Sequence, residues 1–183
     1  MLDETLLRKP PQDDPAAARN IQVVVAITVA IVAVNIYRLG TQSVWEEVFA
    51  YPLSTYYFLL GLAVCLLLLY GSYLLWQRER RGWVIVTGLV AYSMVGPLIF
   101  WVNYYLTSYI MGYPDRSWDV PSSIINTMLA YLLADVTRLY LLVQLSVRER
   151  AQISSQTLAN TVVIGIVAAI GNALASYIIS TNG

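Results

Sequence analysis

Long apolar stretches recur along this chain, and they restrict its fold more than any other feature. Hydrophobic residues make up 58% of its 183 residues, and charged residues make up only 12%. A helix of about 20 apolar residues, at about 1.5 Å per residue, crosses a hydrocarbon core about 30 Å thick. Backbone groups in lipid must be paired, which helices achieve and open sheets do not. We therefore predict an all-α, polytopic integral membrane helix bundle.

About five transmembrane spans are predicted after a polar N-terminal tail. The tail covers residues 1–20, mixes both charge signs and contains three prolines. It lacks the short basic region and short apolar core of a cleavable signal peptide. The remaining residues, 21–183, form a transmembrane domain with spans at about 21–38, 56–76, 83–103, 123–146 and 158–179.

Positive charges concentrate on one side of these predicted spans. Residues 77–82 contain three arginines, residues 147–152 contain two, and the tail adds two arginines and a lysine. The opposite connections, residues 40–55 and 112–123, contain a single arginine between them. The positive-inside rule therefore predicts a cytoplasmic N-terminus and an outer C-terminus. Since the tail is not a transit-type leader rich in Arg and Ser, we expect a prokaryotic inner (cytoplasmic) membrane.

The fourth predicted span carries two charges, Asp135 and Arg138, at positions where a charge costs about 3 kcal/mol in a bilayer. Thr127 and Tyr131 share their helical face, which must turn toward other helices or toward water. The spacing of three residues allows an ion pair within the helix. Candidate polar partners on other spans are Asn35, Asn103 and Asn172. The pair either locks helices together, or Asp135 carries a proton, binds a cation or contacts a ligand headgroup.

Small residues at helical spacing predict close helix packing on two other spans. They are Gly165, Ala169, Asn172 and Ser176 on the fifth span, and Ala26, Ala30 and Ala33 on the first. The pattern leaves open whether the packing partner lies in this chain, a second copy or another protein. The pair Gly96-Pro97 predicts a kink in the third span, because proline removes a backbone hydrogen bond.

Several kinds of chemistry are excluded or unsupported. The chain has no histidine, which excludes histidine-ligated haem and histidine-based zinc or copper sites. Its single cysteine, Cys65, cannot form an intrachain disulfide. Neither nucleophile-elbow nor phosphate-loop motifs occur, so no metal and no cofactor is predicted. Tyrosine clusters could contact a lipid, quinone or pigment, but no motif supports one. The zero net charge gives no indication of nucleic-acid binding.

These observations favour a small, non-catalytic accessory or scaffold subunit of a larger membrane complex. Its expected partners are the lipid bilayer and either other membrane subunits or copies of itself. The alternative is a homo-oligomeric channel or transporter for an ion or small solute, with the face of Asp135 and Arg138 lining the path. A third hypothesis is a lipid or quinone enzyme that acts at the outer interface.

Overall fold

The computed structural model describes residues 15–41, 52–110 and 122–182, and helices account for nearly all of these residues. No strand occurs in these ranges, so the prediction of an all-α fold is confirmed. The helices are α1 (Pro15–Thr41), α2 (Pro52–Trp76), α3 (Arg80–Ile110), α4 (Ser122–Val143), α5 (Leu145–Arg150) and α6 (Ser155–Asn182). The polar tail is predicted to cover residues 1–20, of which residues 1–14 lie outside the described residues. The last six residues of the tail, 15–20, belong to α1.

Three of the described helices are long and apolar enough to cross a membrane. They are Pro15–Gly40 in α1, Ser54–Trp76 in α2 and Ser155–Ile179 in α6. These candidate spans indicate a membrane protein. The predicted spans 83–103 and 123–146 fall on α3 and α4, which are not among the three, so the number of five spans stays a prediction. The orientation of the termini is likewise a prediction.

Four helices form a ring, and α6 packs on the outside of it. Within the described residues, α1 packs against α2, α2 against α3, α3 against α4, and α4 against α1. The last helix packs along α3 and touches α2, whereas the short α5 packs against α1 and α4. The consecutive helices from α1 to α4 are neighbours, as is usual in a helix bundle, whereas α6 packs against α3 instead of against α4.

A tight turn joins α2 to α3. Arg78 has a positive φ of 66°, and its amide donates to the carbonyl of Leu75 at 2.9 Å. The amide of Glu79 donates to Leu74 at 2.9 Å, which completes the double hydrogen bond of a Schellman cap. Gly82 lies so close to the end of α2 that a Cβ there would meet the backbone of Leu75. Glycine is therefore required at this position by close backbone approach.

The connection from α5 to α6 has the same geometry. Gln152 has a φ of 54°, and its amide donates to Glu149 at 3.2 Å. The amide of Ile153 donates to Arg148 at 2.8 Å, again in the Schellman pattern. Both of the arginine-rich connections are therefore capped turns with defined backbone geometry.

The break between α4 and α5 lies inside the predicted span 123–146. α4 ends at Val143, and Gln144 has φ −54° and ψ 137°, which no helix accommodates. The carbonyl of Leu142 is one of the last four of α4 and lacks a partner within that helix. The indole Nε1 of Trp83, a fully buried side chain, donates to it at 2.9 Å. This contact joins α3 to α4 within the main cluster of buried apolar side chains.

Gly165 is the point of closest approach between α6 and α3. A Cβ at this position would meet the carbonyl oxygen of Gly88 and lie 2.9 Å from the Cβ of Ala91. Both are fixed parts of α3, so the helices would have to separate to accommodate a methyl group. Gly171, six residues further along α6, has nothing within 4 Å of the corresponding position.

Replacement of Gly165 by Ala is expected to lower the free energy of unfolding by about 1–3 kcal/mol, because it overpacks the contact between α3 and α6. Gly171→Ala is the matched control on the same helix, and it is expected to be neutral or to stabilise by up to about 1 kcal/mol through helix propensity. SDS titration in mixed micelles, followed by circular dichroism, measures both. Equal effects of the two substitutions would contradict the close approach at Gly165.

Candidate functional site

The charged pair of α4 lies in the interior of the ring. Asp135 is 3% exposed and Arg138 is 2% exposed. The Nη2 atom of Arg138 donates to Oδ1 of Asp135, which forms an ion pair between positions three residues apart. Helical spacing places both side chains on the same face, and that face is directed toward α1 and α3.

The second carboxylate oxygen of Asp135 bonds to α3. Ser93 donates its hydroxyl to Oδ2 of Asp135 at 2.5 Å, and the carbonyl of Val90 lies 3.0 Å from the same hydroxyl. Both oxygens of the carboxylate therefore have a donor, one charged and one neutral. A buried carboxylate needs such partners because its isolated charge is strongly disfavoured in a medium of low dielectric constant.

The guanidinium of Arg138 bonds to α1. Its Nη1 atom donates to the hydroxyl of Thr28 at 3.3 Å. Thr28 in turn donates its proton to the carbonyl of Val24 at 2.8 Å. Because that proton is engaged within α1, the lone pairs of the hydroxyl remain available to accept from Arg138. The Nε atom of Arg138 is buried and has no hydrogen-bond partner among the described residues.

Contacts of α4 alternate between its two neighbours along one stripe. Tyr131 donates its hydroxyl to Oδ1 of Asn35 on α1 at 3.0 Å. One turn further along α4, Asp135 accepts a hydrogen bond from Ser93 of α3. Arg138 then donates a hydrogen bond to α1, and the carbonyl of Leu142 accepts one from Trp83 of α3. This stripe of α4, residues 131, 135, 138 and 142, therefore contacts α1 and α3 in turn at every helical turn.

The asparagines predicted as partners of the ion pair bind tyrosines instead. Asn35 accepts from Tyr131, and Oδ1 of Asn172 accepts from the hydroxyl of Tyr56 at 2.6 Å, which joins α6 to α2. The side chain of Asn103 lies outside the described residues. The partners that the sequence interpretation missed are the hydroxyls of Thr28 and Ser93.

Depth in the membrane is the signal that could have identified these two hydroxyls. Arg138 lies eight positions from residue 146 and Thr28 seven from residue 21, so two antiparallel spans bring them to the same level. Ser93 lies ten positions from residue 83 and Asp135 eleven from residue 146, which again matches. Two side chains must lie at similar depths in order to bond, because each spans only a few ångströms. One helical turn shifts a residue by about 5.4 Å along the axis, so depth selects partners better than side-chain length does.

The two small-residue faces differ in their surroundings. Gly165 packs against α3, Ala169 is buried, and Ser176 is buried with its hydroxyl donated to the carbonyl of Asn172 at 2.8 Å. On α1, by contrast, the predicted packing residues Ala26, Ala30 and Ala33 are all exposed. The buried face of α1 instead includes Ile21, Val24, Thr28 and Val32. This face brings Thr28 into contact with Arg138.

The predicted kink falls within a continuous helix. α3 runs from Arg80 to Ile110 through Gly96 and Pro97, and Gly96 is exposed with nothing within 4 Å of a Cβ there. The bend itself stays a prediction. In the described ranges, no group of three or more His, Cys, Asp or Glu side chains is placed to hold a metal ion.

Comparison of the chain with protein-family models, with curated proteins and with solved structures finds no match. A buried ion pair that is bonded on both sides to neighbouring helices is suited to holding those helices in one register. Neither charged side chain lines the groove between α1 and α4 or the cavity beside Trp76.

Asp135→Asn is expected to lower the free energy of unfolding by about 3–5 kcal/mol, because it leaves the charge of Arg138 buried and unpaired. The double variant Asp135→Leu with Arg138→Met is expected to recover most of this loss, since both charges are removed together. SDS titration in mixed micelles measures both. The exposed Thr137→Val on the same helix serves as control and is expected to change the free energy by less than about 0.5 kcal/mol. A double variant less stable than the single variant would contradict a structural pair.

Proposed function

We propose that the protein is a small, non-catalytic accessory or scaffold subunit of a larger membrane complex. The observation that carries this proposal is the ion pair of Asp135 and Arg138, which is buried and bonded to two neighbouring helices. A group that carries ions or protons must be reached by them, whereas a group that holds an assembly must be shielded and paired. The hydroxyl partners Ser93 and Thr28 favour the second role.

The exposed surface of α1 supports an assembly role. Ala26 and Ala33 are small and exposed, and small residues let a second helix approach closely in a membrane. The corresponding face of α6 is already used inside the chain, where Gly165 contacts α3. Of these two small-residue faces, the one on α1 therefore offers the surface for another subunit or a second copy.

Five spans and a cytoplasmic N-terminus are part of the same proposal. α3 is 31 residues long and α4 is 22, and each is long enough to cross a bilayer. The charges of Asp135 and Arg138 lower the hydropathy of α4, but they neutralise each other within that helix. The arginines beside the two capped turns favour a cytoplasmic location for both, and a prokaryotic inner membrane fits this orientation.

Native mass spectrometry tests the accessory role directly. The full chain, tagged at its N-terminus, is extracted gently from its source membrane and weighed with everything that it retains. We expect stoichiometric foreign subunits, and Asp135→Asn should reduce their retention because the supporting helices lose their register. Thr137→Val is the control and should retain the partners. A homo-oligomer without foreign subunits would refute the proposal and favour the channel or transporter, whose ion flux Asp135→Asn should then alter.

Cysteine labelling tests the orientation. In a Cys65→Ala background, single cysteines replace Glu79 in the turn after α2 and Glu149 in α5, and a third replaces Ser43. A membrane-impermeant maleimide added to intact cells is expected to label only position 43, since the positive-inside rule places the other two in the cytoplasm. Permeabilised cells provide the control, in which all three positions should react. Labelling of position 79 or 149 in intact cells would overturn the orientation.

A further inference from the structure

A groove of about 360 Å³ lies between α1 and α4. These two helices touch over less of their length than α1 and α2 do, which leaves the space between them open. Its floor and walls include Ala30 and Val34 of α1 and Ala130 and Ala134 of α4. Ala30, Val34 and Ala130 are exposed, so the groove opens outward from the bundle. Its volume lies within the range of about 300–1,000 Å³ that small-molecule sites occupy.

One end of the groove is polar and cationic. Arg38 lines it together with Thr127 and Tyr131. The guanidinium of Arg38 lies over the ring of Tyr131, with its Cζ atom 5.8 Å from the ring centroid. Tyr131 is itself held by Asn35. The aromatic face of Tyr131 therefore helps to position this cation beside the groove, and a guanidinium presents several N–H donors that suit an anion.

Arg38 lies in the last turn of α1, where the helix dipole favours a cation. In residues 15–41, 52–110 and 122–182, no carboxylate forms an ion pair with it. In the proposed orientation it stands at the outer end of α1, where the positive-inside rule disfavours arginine. An arginine at a membrane interface, beside an apolar groove that runs toward the bilayer centre, has the charge and position to bind an anionic headgroup.

The apolar part of the groove has the length and character of a site for an aliphatic chain. Ala30 and Arg38 are eight residues apart on α1, which corresponds to about 12 Å along the helix axis. The small side chains of Ala130 and Ala134 leave room between the helices without a polar group to satisfy. A ligand that fits therefore combines one anionic group with one long apolar chain.

We propose that the groove between α1 and α4 binds an anionic amphiphile, with its anionic group at Arg38 and an aliphatic chain along Ala30, Val34, Ala130 and Ala134. The chemistry is shared by an anionic phospholipid of the bilayer and by a free fatty acid. This proposal rests on the orientation given under the proposed function, and the groove shares Ala30 with the small-residue face of α1. It uses neither Ser93 nor Thr28, the hydroxyl partners of the ion pair.

The test uses the full chain, delipidated in a non-ionic detergent. Three probes are titrated separately: dioleoyl phosphatidylglycerol, oleate, and dioleoyl phosphatidylcholine as the neutral probe with the same chains. Native mass spectrometry counts the bound copies. We expect one tightly retained copy of an anionic probe and at least about tenfold weaker retention of phosphatidylcholine, because its choline cation cancels the charge of the phosphate and repels the guanidinium of Arg38. Preference for phosphatidylglycerol identifies a bilayer lipid as the source, and preference for oleate identifies a fatty acid.

Two variants locate the bound copy. Arg38→Gln is expected to weaken retention of the anionic probe about tenfold, and Ala130→Leu should weaken it by filling the groove while leaving the cation intact. The matched controls are Arg19→Gln, an exposed arginine at the other end of α1, and Ala168→Leu, an exposed alanine of α6. Equal retention of the neutral probe, or equal effects of Arg38→Gln and Arg19→Gln, would overturn the proposal. Unchanged retention of the anionic probe by Ala130→Leu would also overturn the proposal. This second variant still tests the proposal if Arg38→Gln does not fold.

Discussion

The ion pair between Asp135 and Arg138 is the interaction on which the arrangement of α1, α3 and α4 depends. Both charges belong to α4, so they neutralise each other before the helix meets its neighbours. In the proposed five-span bundle this pairing lowers the free-energy cost of placing α4 in lipid, where an unpaired charge costs about 3 kcal/mol. The hydrogen bonds to Ser93 and Thr28 add little stabilisation, since interhelical hydrogen bonds in membranes average about 0.6 kcal/mol. Their main contribution is to specify how α4 packs against α1 and α3.

The two ends of the described bundle are held by different means. At the end with the capped turns, buried apolar side chains such as Leu75, Trp83 and Val147 pack together, and the backbone itself makes the close contacts. Toward the other end, tyrosine–asparagine hydrogen bonds join the helices, and the groove between α1 and α4 opens beside one of them. Among the described residues, the groove between α1 and α4 therefore lies at the end where side-chain hydrogen bonds join the helices.

The sequence predicted the presence of helices better than their ends or partners. The length of each apolar stretch indicates a helix at each predicted span. The fourth stretch continues past Gln144, however, where the helix breaks. That break depends on a tertiary contact, because Trp83 of another helix satisfies the freed carbonyl of Leu142. The alanines of α1 have the spacing of a packing face, yet Ala30 is exposed. Small size permits close packing, but it does not identify a partner.

Alternation of contacts along α4 explains why the pair favours assembly over transport. Tyr131 and Arg138 hold α1, whereas Asp135 and the carbonyl of Leu142 hold α3. Moving α4 along its axis by one turn would break all four contacts. Rotating α4 about its axis would break either the contacts with α1 or those with α3. A transporter needs an element with two arrangements of similar free energy, so that its site opens to each side in turn. The alternating contacts oppose both a slide and a rotation of α4, which supports the proposed scaffold role.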